Sequence, residues 1–172
     1  EGQVHALEAN PKTHSGLRYM CEQNNFKRTI PHNLAIYKID GEVTIEDDEE
    51  NYLKNTIQTT SNLSNHRVRA VTLDTLVSEN KISKIDFLKS NVEGAEQYLI
   101  EGMRHSIKLV RNVCISCHDF RHIYHSHGEF YMTKQKVRLF LEANGFQIID
   151  RETDNRVVAD FIYGRNTKLV MN

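Results

Sequence analysis

Strand-like and helix-like periods alternate along this chain. Gln3-Val4-His5-Ala6-Leu7 reads as a strand. Asn10-Pro11 then supplies a helix start, a side-chain acceptor at the N-cap followed by a ring whose missing N–H is not needed there. Leu17, Met20 and Cys21 recur on one face of that helix. Phe26 to His32 predicts a short strand, and Pro31, which cannot donate to a ladder, assigns it to a sheet edge. Val43 and Ile45 alternate with polar neighbours, Val68 to Thr72 predicts a further strand, and Leu73 to Asn80 predicts a short helix with Thr72 as its cap. Ile85 to Val92 predicts a strand that stops at Glu93-Gly94. Ala95, Tyr98, Leu99, Gly102, Met103, Ile107 and Val110 keep the i, i+3, i+4 spacing, which predicts a helix of four turns. Asn112 to Cys117 reads as a buried strand. Thr133 caps a helix that carries Val137, Phe140 and Leu141 and stops at Asn144-Gly145. Phe146 to Ile149 and Val157 to Tyr163 read as two closing strands around a polar turn.

Strands alternating with helices define an α/β fold with a mostly parallel sheet and an antiparallel closing hairpin. The 172 residues are enough to bury a core, and with no repeat and no linker they predict one domain, 1–172. Charge narrows the function. The 22 Lys and Arg against 23 Asp and Glu leave a net charge of −1, which argues against a nucleic-acid partner held by a basic field. No apolar run approaches the roughly 18 residues of a membrane span, and no signal peptide opens the sequence, so a cytoplasmic protein without a membrane partner is expected. Three cysteines argue against a disulfide scaffold. Cys114 and Cys117 lie three apart on a predicted strand, where side chains alternate, so two buried thiols are favoured over a metal or redox pair.

The acidic run 46–50 reads as a solvated loop, with cation binding as the alternative. Residues 51–66 read as a polar surface excursion that holds the sequon Asn62-Leu63-Ser64. His118, His122, His125 and His127 fall in one aromatic loop. A lid for acceptor recognition is the favoured reading and a zinc site the alternative.

In open α/β sheets ligands bind at the carboxyl ends of strands. That rule selects Glu8, Asn91, Glu93, His118 and Asp119. If the 85–92 and 112–117 strands are neighbours, Glu93 and His118 fall within roughly 5–10 Å and serve one pocket. Glu8 can accept hydrogen bonds from ribose hydroxyls or simply complement the dipole of the next helix, and both readings stay open. Tyr124, Phe130 and Tyr131 can stack on a sugar ring or merely pack.

The segments V-H-A-L-E-A-N-P, T-L-D-T-L, D-F-L-K-S-N-V-E-G-A-E, C-H-D-F and F-L-E-A-N-G-F, in that order, resemble the FkbM family of methyltransferases from Val4 to about Gly164. The resemblance implies a Rossmann-like methyltransferase fold, S-adenosylmethionine as cofactor, and O-methylation of a hydroxyl on a small-molecule or carbohydrate acceptor. It makes Glu8, with Asn10 and Asn91, cofactor-binding, Glu8 being the carboxylate that grips the donor's ribose. His118 becomes the candidate general base, with Asp119 orienting it and Glu93 as a substitute. No metal is implied.

Two departures qualify the match. Lys89-Ser90-Asn91 stands where the family reads Lys-Ile-Asp, and Asn91 cannot carry a negative charge. The family's first strand and its glycine-containing donor loop have no counterpart ahead of Val4. The expectation is therefore an N-terminally incomplete domain whose donor binding is impaired. A non-catalytic, methyltransferase-like domain that binds a partner or glycan is the alternative function.

Overall fold

In the computed structural model, which describes residues 2–46, 57–58, 65–122 and 128–169, the chain divides into two units, 1–72 and 73–172. In the first, β1 (Val4–Leu7) runs into α1 (Pro11–Gln23), and Asn10 Oδ1 accepts from the N–H groups of Lys12 and Thr13 at 2.9 and 3.3 Å. The helix thus starts where its sequence signal lies. β2 (Thr29–His32) pairs in parallel with β1, setting Pro31 opposite Ala6 in a two-stranded sheet. Among the described residues β2 has one paired edge, which is what the proline requires. A second sheet of this unit, ordered β3-β6-β4-β5, contains β3 (Ala35–Ile36), β4 (Gly41–Glu46), β5 (Ile57–Gln58) and β6 (Asn65–Val71). Ala35, Ile45, Val68 and Ala70 form its core, with Ala9, Tyr37 and Val43 against it. β3 escapes sequence reading because two residues display no period. The acidic residues 47–50, the sequon at 62–64, and Tyr124, His125 and His127 lie outside the described residues.

The second unit contains α2 (Leu73–Glu79), β7 (Ile85–Asn91), α3 (Glu96–Glu101), β8 (Val110–Ser116), α4 (Lys134–Ala143), β9 (Phe146–Ile149), α5 (Arg156–Ala159) and β10 (Phe161–Asn166). Its sheet is ordered β7-β8-β10-β9: β7 and β8 are parallel neighbours, the arrangement left conditional by the sequence, and β10 runs antiparallel to both β8 and β9. The closing hairpin is present. Among the described residues three of the seven strand pairings are parallel, so the α/β fold has mixed sheets rather than a mostly parallel one. Val110, Val113, Ile115, Ile162, Val137, Leu141 and Met103 are fully buried in this unit. No described helix is long and apolar enough to cross a membrane.

Two expectations fail for local reasons. The predicted four-turn helix ends after Glu101, and residues Ser106–Leu109 form a separate 3-10 turn. The cause is Asp74. Its carboxylate accepts from the N–H groups of His105 and Ser106, the latter at 2.7 Å, and its own N–H donates to the Gly102 carbonyl. Those peptide groups are bound to α2 instead of continuing the i→i−4 ladder. Met103 and Ile107 still bury, so the apolar spacing persists although the helix does not. The 157–163 strand is likewise displaced: Asn155 Oδ1 caps Val157 and Val158, turning 156–159 into the single helical turn α5 and starting β10 at Phe161.

Replacing Asp74 with Ala removes the charge-assisted acceptor of two backbone N–H groups, those of His105 and Ser106, and should cost about 1–3 kcal/mol, read as a lower urea midpoint at unchanged m-value.

Candidate active site

Because β7 and β8 are parallel, the residues that leave them emerge at one end of the sheet, with Asn91 opposite Ser116 in register. Antiparallel β10 begins at that end, Phe161 opposite Ser116, and so brings Asp160 there. After β7 the chain reverses through Val92-Glu93-Gly94-Ala95, closed by Ala95 N–H to the Val92 carbonyl. Glu93 and Gly94 both have positive φ, +53° and +96°. Glycine is at ease there and glutamate is not, so Glu93 sits in a backbone conformation that its surroundings impose. Gly94 is fixed for a second reason: a Cβ on it would lie 2.5 Å from Cε1 of Phe130.

This turn presents two carboxylates to one imidazole. His118, just beyond β8 and 3% exposed, has Nδ1 2.8 Å from Glu96 Oε1 and Nε2 3.4 Å from Glu93 Oε2. Glu93 and His118 are thus closer than strand spacing alone implies. Arg121 closes the cluster with Nη1 2.7 Å from Glu93 Oε2, its guanidinium 5.9 and 5.8 Å from the ring centroids of Phe120 and Tyr131. Two negative and two positive groups therefore share a largely dehydrated site.

The protonation of His118 follows from its partners. A carboxylate only accepts, so a ring with a carboxylate at each nitrogen is best satisfied carrying both protons. Burial depresses the pKa of His118, but the carboxylates of Glu93 and Glu96 beside its two nitrogens outweigh it and push the value up to about 9. At neutral pH the group is an imidazolium.

Each residue selected from the sequence has a definite location. Asp119 is not on the imidazole: its Oδ1 accepts from the N–H groups of Thr133 and Lys134, both at 2.9 Å, at the start of α4. Glu96 occupies the orienting position at Nδ1 instead. Thr133, expected to cap α4 with its hydroxyl, gives that hydroxyl to Glu96 Oε2 at 3.0 Å. Asn91 is exposed at the end of β7. In the first unit, Glu8 Oε1 accepts from Asn10 N–H at 2.8 Å, while Asn10 is buried and its Oδ1 holds α1. His122 sits after a 3-10 turn with Nδ1 on the Asp119 carbonyl, and no three metal-ligating groups converge among the described residues. Cys114 and Cys117 are free, buried thiols. Burial, with the nearby charges of Glu96, Asp119 and Asp160, pushes the Cys117 thiol up to about 12 despite its hydrogen bond with Thr133.

Sequence reasoning missed Glu96, Arg121 and Thr133 as members of the site. Glu96 was detectable. Leu99, Ile100 and Met103 follow it at +3, +4 and +7, which sets a carboxylate on the buried stripe, and such a charge requires a partner. Arg121 carried no comparable signal.

A parallel strand pair with acid and imidazole at its carboxyl end, joined to an antiparallel hairpin, defines an α/β domain of the kind that binds ligands where its strands end. The chain belongs to the FkbM methyltransferase family: the methyltransferase FkbM domain matches residues 1–148. Its fold is similar to that of the methyltransferase FkbM from Methylobacillus flagellatus KT, a crystal structure, with a TM-score of 0.59 at 15% identity. The similarity covers 95% of this chain and 36% of that one, so the chain spans about a third of the solved protein's length. No curated protein matches the sequence.

Two outcomes follow from this geometry. Gly94→Ala should cost about 1–3 kcal/mol in urea unfolding, because positive φ and the Phe130 contact both oppose a methyl group. His118 has a folded pKa above its unfolded value of 6.5, so its contribution to stability is complete below pH 6.5 and is lost as pH rises through 9. The stability difference between the parent protein and His118→Gln should therefore shrink by up to ~3 kcal/mol from pH 6 to pH 10, measured by denaturant titration.

Proposed function

We propose that this domain carries out O-methylation from S-adenosylmethionine onto a hydroxyl of a small-molecule or carbohydrate acceptor. The observation that carries the reading is the Glu93–His118–Arg121 cluster at the shared carboxyl end of β7 and β8 in a member of the FkbM methyltransferase family. When bound, the cofactor supplies a methyl group already activated by its sulfonium sulfur.

Each unit by itself carries polar groups of the kind that bind part of such a donor. Glu8 uses one carboxylate oxygen on Asn10 N–H, and its other oxygen has no protein partner among the described residues, which leaves an acceptor for a ribose hydroxyl. Asn10 acts through Glu8 and α1, since its own amide oxygen is engaged there. In the second unit Asn91, exposed, carries amide donors and an acceptor, without the charge of the family's aspartate.

Turnover then depends on holding the acceptor hydroxyl in line and removing its proton, and alignment alone is worth up to ~7–11 kcal/mol in favourable systems. An imidazolium has no lone pair to offer. The proton acceptor of this mechanism is therefore Glu93, in the role that sequence reasoning gave first to His118. His118 and Arg121 hold the Glu93 carboxylate in place and neutralise the cluster, while Asp119 builds the floor of the site through α4.

Glu93→Gln tests this. Transfer of labelled methyl from S-adenosylmethionine to a panel of sugars and polyols should fall by about 10²–10⁴-fold, with S-adenosylhomocysteine affinity by calorimetry within about twofold of the parent. Undiminished transfer by the variant removes Glu93 from the mechanism. Donor binding by the parent without transfer to any acceptor would favour the non-catalytic reading, which rests on the uncharged Asn91.

A further inference from the structure

Glu96 is the most deeply buried charged side chain described, with 0% exposure, yet the proton transfer above does not require it. Its two oxygens are fully engaged. Oε1 lies 2.8 Å from His118 Nδ1 and accepts from Gly94 N–H at 3.2 Å, and Oε2 accepts from the Thr133 hydroxyl at 3.0 Å. A carboxylate so far from water needs a cation, and His118 is its only ion-pair partner among the described residues. The bonds also join three elements. Glu96 stands on α3, Gly94 on the strained turn that carries Glu93, and Thr133 at the start of α4, where Asp119 holds the backbone a second time. Moving Glu96 would release both the imidazole and the turn.

We infer that Glu96 is a positioning residue: from its buried seat it fixes the His118 ring and the proton on Nδ1, so that the Nε2 edge of the imidazolium stays turned to the Glu93 carboxylate. The inference rests on the reading of Glu93 as proton acceptor. Its chemistry is a carboxylate–imidazolium–carboxylate chain in which the inner carboxylate is sealed from solvent and the outer one, 15% exposed, meets the acceptor. The other charged or titratable groups near His118 are few. Arg121 reaches it through Glu93, Asp160 faces it from the start of β10, and Cys117 is its chain neighbour. Asp119 and Lys134 are occupied with α4 and with the Ala159 carbonyl. Burial raises the pKa of Asp160, and its carboxylate accepts from Phe120 N–H. Glu96 is thus the group whose charge bears directly on the Nδ1 side of the ring.

The test is a ring-nitrogen NMR titration of ¹⁵N-histidine-labelled protein, with the His118 signals identified by their loss in His118→Gln. Glu96→Gln is nearly isosteric and keeps an acceptor for Nδ1–H but removes the charge. The His118 midpoint, near 9 in the parent, should fall by at least one pH unit in this variant. The alkaline limb of kcat/KM should move with it, and kcat should drop more than KM rises. Should Glu96→Gln not fold, Thr133→Val, which keeps the charge but loosens its anchor, should move the midpoint in the same direction by a smaller amount. An unchanged midpoint in the folded variants overturns the inference, as does a shifted midpoint with an unmoved pH–rate profile. Failure of the methyl-transfer reading is told apart because the ring titration needs neither donor nor acceptor: a parent protein that titrates as described but transfers no methyl loses the function while keeping the ion pair.

Discussion

The second unit of this protein is organised around one buried ion pair, the carboxylate of Glu96 against the imidazole of His118. A charge removed from water by a folded chain has to be met by an opposite charge and by hydrogen bonds, or the fold rejects it. Here the requirement reaches well beyond the pair. Because Glu96 must be satisfied, Thr133 turns its hydroxyl inward, α4 takes its cap from Asp119, and the turn before α3 brings Gly94 N–H to the same oxygen. The positive φ of Glu93 belongs to that turn, so the strained residue and the buried charge are parts of one arrangement.

The parallel pairing of β7 and β8 makes this possible. Two strands that run the same way release their chain ends on the same side, and residues 25 apart in sequence, Glu93 and His118, meet without either lying on a regular element. The antiparallel return of β10 adds Asp160 and ties the 118–121 segment down through Phe120 N–H and the Cys117 N–H. These bonds gather the polar groups that leave β7, β8 and α5 at one end of the sheet.

Membership of the FkbM methyltransferase family and a fold shared at 15% identity are consistent with how little sequence such an architecture demands. Apolar residues at strand and helix periods are enough to form the layers, and many sequences supply them. The polar residues that leave the strands are where a family keeps its chemistry.

Much of the fold was legible in the order of the residues. The α/β alternation, the Asn10-Pro11 helix start, the edge location of Pro31 and the closing hairpin all follow from short-range chemistry, in which period, cap and ring constraint act within a few residues. The same local reasoning found Glu93 and His118, because the end of a strand is a local feature. It failed where distant groups compete for the same backbone or the same proton. Asp74 ends α3 early from 30 residues away, and Glu96 takes the imidazole that Asp119, its chain neighbour, was expected to orient. Spacing along a chain determines which face a side chain takes; only the packed structure decides which partner it finds there, because burial makes every unpaired polar group costly and the nearest satisfied arrangement is a property of three dimensions.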